Sequence, residues 1–530
     1  ALSFLTCLDR PAEQIRSGPV GLVTQSGGTG SYLHNLAAER GSGLAISIST
    51  GNEGGVDVAD ALSALVEAEE VEVIALVLET VRRGDAFLQA LKQAQEAGKP
   101  VVACLLGRSR QGSEMMVTHT GAMALPKRVL AGVLDAQAVT VTATPGELFE
   151  VSEVLARSRP PTGERAMVVT HSGGMAILLA DLAAEREVEL PPPSAELEGR
   201  LRPSLQLGSA GNPLDLGGII GGPHRFAEVV ETVGRSGEYD LLLAVSTAFP
   251  VAHTQTRVEG LLALDLDLPL VHLWMAGDQA SEGLELLSAA GAPLAFEPRV
   301  AMAALAGLVR WSRPPEPLPA PMEVAPVEGV LSEHQSKLLL DEWGVPVVEG
   351  TLVTCEEEAV AAAARFGYPV VAKLAAPGLA HKARRGAVEV GLSDEASLRA
   401  AYRRLLAAGE GLALEGVRVE RYRPGLEVIV GGVRHPGFGP MLLVGLGGAQ
   451  AELVDTAVMA PAPLGPAAAR RLLNRLGADS WPGPPDLDQL GEIVVVLGRL
   501  IAGPHVTEIE INPLAWTGTQ WEALDALIRG

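Results

Sequence analysis

The segment Val117-Thr-His-Thr-Gly121 places His119 between small hydroxyl residues, just after the polar stretch Gly107-Arg-Ser-Arg-Gln-Gly112. A histidine on such a loop suits a nucleophile that accepts a phosphoryl group and hands it on. Its second ring nitrogen needs an anionic partner to fix the tautomer. Glu79, at the C-terminal end of a strand expected over 71–80, is the candidate, because sites of doubly wound domains lie at strand ends. Taken alone, His119 also fits an ordinary solvated loop histidine. Two glycine turns carry a second kind of chemistry: Ser26-Gly27-Gly28 and Ser172-Gly173-Gly174, each following an apolar run. A helix that starts there presents free N–H groups and its positive dipole end to an anion, and glycine permits close approach. Ser26 and Ser172 can cap or donate. One such turn is common turn chemistry; two in one chain suggest two helix ends aimed at one phosphate.

Lys373 closes the apolar run Pro369-Val-Val-Ala-Lys373, and His381, Lys382, Arg384 and Arg385 follow. Only six residues of the chain are Lys, and two of them fall here. A basic loop after a strand can hold nucleotide phosphates or simply be solvated. In Thr507-Glu-Ile-Glu-Ile-Asn512-Pro-Leu, polar and apolar residues alternate, so Glu508, Glu510 and Asn512 share one strand face. Hard oxygen ligands at that spacing suit Mg²⁺ with ATP phosphates; the same alternation also fits a plain exposed face. No Walker motif and no Gly-x-Ser-x-Gly elbow competes.

The elements that must position these residues follow from a repeat. Val20-Gly-Leu-Val-Thr-Gln-Ser-Gly-Gly28 returns as Ala166-Met-Val-Val-Thr-His-Ser-Gly-Gly174, and Leu36-Ala-Ala-Glu-Arg40 as Leu182-Ala-Ala-Glu-Arg186, at a constant offset of 146 residues. That period is too long for a solenoid. Near-continuous apolar runs alternate with helical stretches such as 58–69 and 85–97. The pattern predicts two α/β domains, doubly wound and flavodoxin-like, at 18–155 and 160–311. Six prolines between 312 and 328 predict a stiff, exposed linker. Residues 329–530 mix short strands and helices and read as an α+β domain.

The remaining composition sets limits. The chain has 530 residues, 47% of them hydrophobic and 20% charged, which excludes a largely disordered chain. No apolar run reaches the roughly 18–20 residues of a membrane span, so no membrane role is expected. The net charge of −23 argues against a nucleic-acid partner. Three scattered cysteines, Cys7, Cys104 and Cys355, form neither a disulfide framework nor a zinc pattern and point to a cytoplasmic protein.

Four signatures, in order, give the chain a family resemblance. They are Thr24-Gln-Ser-Gly-Gly28, Thr118-His-Thr-Gly121, Asn212-Pro-Leu-Asp215, and a C-terminal series. That series runs Leu331-Ser-Glu-His-Gln-Ser-Lys337, Gly367-Tyr-Pro-Val-Val-Ala-Lys373, His381-Lys382, Gly425-Leu-Glu427, Phe438-Gly-Pro440, Gly445-Leu-Gly-Gly448 and Glu510-Ile-Asn512-Pro. The chain resembles the NDP-forming (ADP-forming) acyl-CoA synthetases, the acetate–CoA ligase type related to succinyl-CoA synthetase. The resemblance implies an ATP-grasp fold for 329–530. It implies a reversible ligase that uses ATP/ADP and Mg²⁺, with CoA, a carboxylic acid and phosphate as the small-molecule partners. It gives His119 the role of phosphohistidine, Glu79 that of its orienting carboxylate, and His381 that of a second relay. Lys373, Glu420 and Glu427 match nucleotide-contacting positions, and Glu510 and Asn512 match the Mg²⁺ pair. The sequence departs from the family pattern in Ala383-Arg-Arg-Gly386-Ala387, near Met459, and in having Glu rather than Asp at 510. Residues 1–17 are expected to be the tail of a CoA-binding domain. The assembly is expected to be a homo-oligomer or to include a separate CoA-binding chain. The alternatives are a non-catalytic regulatory module that senses acyl-CoA or nucleotide, and an ATP-grasp carboxylate–amine ligase.

Overall fold

A computed structural model of the chain describes residues 16–109, 111–112, 114–115, 127–205, 210–217, 224–247, 251–277, 281–314, 316–379, 382–447 and 457–530. They fall into two compact units, one within residues 1–125 and 137–315, the other within 126–136 and 316–530. Both expected histidines, His119 and His381, and the glycine at 448 lie outside the described residues, as does the segment 1–15.

The first unit holds two parallel five-stranded sheets. The first contains β1 (Val20–Thr24), β2 (Leu44–Ser49), β3 (Val73–Leu78), β4 (Val101–Leu105) and β5 (Thr140–Thr142), in the order β2-β1-β3-β4-β5. The second contains β6 (Ala166–Thr170), β7 (Leu214–Asp215), β8 (Leu241–Thr247), β9 (Leu270–Met275) and β10 (Leu294–Ala295), in the order β10-β9-β8-β6-β7. Counted from its own first strand, the second sheet repeats the order of the first. That order is the flavodoxin-like one, so the sequence repeat is a repeat of architecture. The central strands β1, β3, β4 and β6 are buried at every position, as expected for sheets covered on both faces. The two sheets share one apolar core. The helix Pro298–Ser312 lies in it, with residues 300–309 all buried. Residues 300–309 are Val, Ala, Met, Ala, Ala, Leu, Ala, Gly, Leu and Val up to the penultimate turn, apolar on every side, which is the pattern of a fully enclosed helix.

The second unit is built on two antiparallel sheets. One orders β11 (Gly350–Val353), β14 (Gly416–Arg421), β12 (Val370–Ala375) and β13 (Val388–Leu392) as β11-β14-β12-β13. The other runs β17 (Val458–Pro461), β16 (Gly439–Leu446), β15 (Leu426–His435), β18 (Glu508–Trp516) and β19 (Trp521–Ala523), with β20 (Ala526–Arg529) also paired to β18. Helices Glu356–Phe366 and Glu395–Ala408 cover the first sheet, and Pro466–Asn474 and Leu487–Ala502 the second. The helix Lys127–Ala136 groups with this unit. A Cβ at its Gly132 would lie 2.1 Å from the Met459 carbonyl oxygen, and Asp135 pairs with Arg475 at 3.0 Å.

None of the described residues of the proline-rich segment is buried, yet it does not run free of the second unit: Met322, Val324 and Val327, half-buried, pack onto that unit's core. Met322 N–H donates to the Arg499 carbonyl at 2.9 Å, and Glu316 accepts from the N–H groups of Ala467 and Ala468 at a helix start. Proline keeps the backbone extended, so these side chains lie along apolar surface. Ser312 itself ends the preceding helix rather than opening a linker.

Candidate functional site

Both glycine turns form as expected. Ser26 caps the helix Gly27–Glu39, its Oγ accepting from Thr29 N–H at 3.3 Å; Ser172 caps Gly173–Glu185, accepting from Met175 N–H at 3.4 Å. Added Cβ atoms at Gly28 and Gly174 would meet nothing within 4 Å. The space over both first turns is therefore open to an anion. Replacing Ser26 or Ser172 with Ala is expected to cost about 1 kcal/mol each through the lost cap. Urea denaturation of the single variants measures it, and a loss under about 0.3 kcal/mol would deny the capping role.

Glu79 follows directly on β3, which pairs with β1 in parallel, so Glu79 and the Ser26 turn share one edge of the sheet. Gln25 joins them. Its Oε1 accepts from the N–H groups of Glu79 (2.6 Å) and Thr80 (3.1 Å), while its Nε2 donates to the Thr80 carbonyl and to Glu53. Sequence reasoning quoted Gln25 within a motif without giving it a role. Its amide uses both its acceptor and its donors to fix the strand end on which Glu79 sits. In the second sheet, Asn212 plays a similar part, donating to the Ala166 and Pro191 carbonyls and accepting from Val168 N–H. Asp215 then lies beside Gly173, where a Cβ would sit 3.1 Å from its Oδ2.

The second unit concentrates charge out of water. Lys373 on β12 and Glu420 on β14 are both buried, their charged atoms 3.0 Å apart. Around them stand Glu333 and Lys337 of the helix Glu333–Glu342, then Lys382, Arg418 and Asp525. Of the two readings of the basic loop, phosphate-holding or solvated, the solvated one fails for Lys382: it is buried in a 3₁₀ turn with its Nζ 2.5 Å from Glu333 and 2.7 Å from Asp525. Burial alone pushes the Glu333 carboxyl up, but Lys337, Lys373 and Lys382 outweigh it and hold the group well below its usual range. Burial opposes the charge of Lys373 too, and Glu333 and Glu420 overcome that and raise its pKa. For Lys337 burial wins and its pKa is lowered.

Glu510 and Asn512 share one face of β18 as the alternation predicts, Asn512 Nδ2 donating to Glu510 Oε1 at 3.2 Å. Glu508 lies on the same face, as expected, but is engaged by Arg529 at 3.3 Å. Asp525 joins the pair through its carbonyl, which accepts from Asn512 N–H at 3.2 Å. Sequence reasoning missed Asp525 because nothing in Ala-Leu-Asp-Ala marks it; only the pairing of β18 with β20 brings it to Asn512. Burial raises the Asp525 carboxyl, Glu333 adds to the rise, and Lys382 works against it. Glu427 is half-buried on β15, and burial raises its pKa. It lies four residues along the strand from the partner of Glu510, roughly 13 Å at strand rise, so it stands apart from the oxygen pair.

Two family models match the chain. Residues 17–155 match a succinyl-CoA ligase-like flavodoxin domain, and residues 324–529 an ATP-grasp domain. A trans-feruloyl-CoA synthase from an unknown prokaryotic organism is 31% identical over 556 aligned residues, covering 99% of this chain and 78% of the relative. The chain belongs to the ADP-forming acyl-CoA synthetase family. A second relative in that family, the ADP-forming 4-hydroxybutyrate–CoA ligase of Nitrosopumilus maritimus, is 25% identical across 94% of this chain and 76% of its own length. Among solved structures, acetyl-coenzyme A synthetase 1 of Candidatus Korarchaeum cryptofilum, in complex with phosphate and ADP, superposes with a TM-score of 0.51 at 21% identity. The match covers 56% of this chain and 65% of that one, and shows a shared fold. As a member of the ADP-forming acyl-CoA synthetases the protein is an acid–thiol ligase. The regulatory reading finds no support among these relatives. No helix among the described residues is long and apolar enough to cross a membrane.

Proposed function

We propose that the chain converts acyl-CoA, ADP and phosphate reversibly into a carboxylic acid, CoA and ATP, with the phosphoryl group carried by His119 and His381. The supporting observation is the buried lysine–carboxylate cluster beside Glu510, Asn512 and Asp525. It sets ammonium groups for a polyphosphate next to oxygen donors for a hard cation. Glu510, Asn512 and Asp525 offer only oxygen, which fits Mg²⁺; when bound, such an ion neutralises phosphate charge.

In this reading a phosphate oxygen attacks the thioester carbonyl and CoA leaves as thiolate, forming an acyl phosphate. The His119 imidazole then attacks phosphorus and the carboxylate departs. The open first turns at Gly27–Gly28 and Gly173–Gly174 hold the phosphate oxygens, and Glu79 orients the histidine. His381 receives the phosphoryl group from His119 and passes it to the terminal oxygen of ADP. Lys373, Glu420 and Glu427 position the nucleotide. We place the protein in the cytoplasm, in keeping with the free thiols of Cys104 and Cys355.

Incubation with [γ-³²P]ATP and Mg²⁺ is expected to give an acid-labile, base-stable label on the protein. His119→Ala and His381→Ala should both abolish stable labelling of His119. Because His381 can still take the phosphoryl group from ATP in His119→Ala, the label is located by peptide mapping: a labelled wild-type chain with none on the segment around His119 would overturn its assignment, and label on that segment in His381→Ala would overturn the relay.

A further inference from the structure

Glu333 has no part in the steps above, yet three ammonium groups converge on it. It is 1% exposed at its side chain and opens the helix Glu333–Glu342. Ser332 caps that helix with Gln335 in a reciprocal capping box, and Ser332 Oγ also donates to Glu415 at 2.5 Å. The backbone under Glu333 is thus fixed from both sides. Its Oε1 lies 2.7 Å from Lys337 and 2.9 Å from Lys373; its Oε2 lies 2.5 Å from Lys382.

We propose that Glu333 is a positioning residue that sets the spacing of Lys373 and Lys382 for the nucleotide phosphates. The inference rests on the reading that these lysines face nucleotide. Other carboxylates reach each lysine singly: Glu420 touches Lys373, and Asp525 touches Lys382. Among the described residues Glu333 alone touches both. It holds one on each oxygen, so two like charges are kept at a set separation by a shared counter-ion. Lys337, fully buried, occupies the remaining side of Oε1 and ties Glu333 to Glu420. A carboxylate so occupied has little capacity left for a metal or a proton. Its contribution is therefore placement. Without it Lys373 and Lys382 repel each other, while Glu420 and Asp525 draw them apart.

The test uses the whole chain, with Mg²⁺–ADP binding followed by titration calorimetry and folding by thermal melting. Glu333→Gln keeps the shape and removes the charge; it is expected to weaken ADP binding by about tenfold or more, as small misplacements of positioning groups do. Glu333→Asp keeps the charge and shortens the reach; it should melt cooperatively and recover part of the affinity. Adding Lys382→Met to Glu333→Gln should cost far less affinity than Lys382→Met costs in the wild type, because the lysine is already displaced. Should Glu333→Gln fail to fold, Glu333→Asp still decides: a severalfold weaker Kd supports the proposal. Folded Glu333 variants that bind ADP within twofold of wild type would overturn it. Wild-type chain that binds no ADP would instead overturn the nucleotide reading of the site, and the positioning role with it.

Discussion

Lys373→Met is expected to destabilise the ATP-grasp unit by about 3–5 kcal/mol, the range for removing one partner of a buried ion pair. The reason is what the substitution leaves behind. Lys373 lies between Glu333 and Glu420, at 2.9 and 3.0 Å, and it also donates to the Leu524 carbonyl. Both carboxylates are almost wholly buried. Methionine fills much the same volume, so the loss is not a cavity. It is one positive charge taken from between two negative ones in a low dielectric. Four cations and three carboxylates make up the cluster, so the removal also ends its positive excess, which is the attraction for phosphate. Nucleotide binding should therefore fall with stability. Chemical denaturation at pH 7 checks the first effect and ADP titration the second. A loss of stability under about 1 kcal/mol would show that water reaches these carboxylates and that the cluster is not sealed. Pairing Lys373→Met with Glu333→Gln should cost less than the sum of the two, since the second change removes a charge the first left unpaired.

The cluster also shows where reading a sequence stops. Pattern along the chain places a residue on an element and a face. It places Lys373 on a strand, although that strand runs on to Ala375 rather than closing at the lysine, and it places Glu510 and Asn512 on a common face, because strand alternation is a local property. The helical stretches expected at 58–69 and 85–97 form as Val58–Glu67 and Gly84–Glu96. Both parallel sheets were legible as well, since an apolar strand, a glycine turn and a helix recur at one offset, and the two sheets have the same strand order. The meeting of elements is not local. Glu333 and Lys337 stand one helical turn apart within a quoted motif, but nothing in their spacing says that Lys373, Lys382 and Asp525 arrive from elsewhere. Local sequence leaves Lys382 either solvated or facing phosphate, and it is buried because two carboxylates await it. Gln25 sits inside a glycine motif whose glycines draw attention, although the side chain that fixes the end of β3 is the glutamine. The proline-rich segment is unburied as its composition predicts, but composition reports backbone stiffness, not what the stiff segment lies against.

A second expectation concerns acid and falls in the other unit. His272 lies on β9 between β8 and β10, its N–H donating to the Pro293 carbonyl at 2.8 Å, with the side chain 3% exposed. Its Nδ1 finds no hydrogen-bond partner among the described residues. Burial lowers the imidazole pKa from 6.5 to about 4. Between those values the unfolded chain binds a proton that the folded chain does not, so stability rises with pH across this window and falls as acid is added. The linkage amounts to about 2 kcal/mol lost between pH 7 and pH 5 from this one side chain. Other groups titrate too. Glu333, held well below 4.5, loses its contribution only in stronger acid, whereas Asp525 and Glu427, with raised pKa values, change stability in the opposite sense. The difference between wild type and His272→Leu removes these common contributions. Denaturation curves for both proteins at pH 7 and pH 5 should show the variant losing about 2 kcal/mol less than the wild type over that interval. Equal losses would mean that the imidazole is solvated or already partnered in the folded protein, and that the burial of β9 is not what the fold describes. An unchanged free-energy gap with a lower denaturant midpoint at both pH values would assign His272 to packing alone. The acid sensitivity of the imidazoles would then fall to His34 and His334, whose pKa values burial also lowers, and His34→Leu and His334→Leu, compared in the same way, would show which of them carries it.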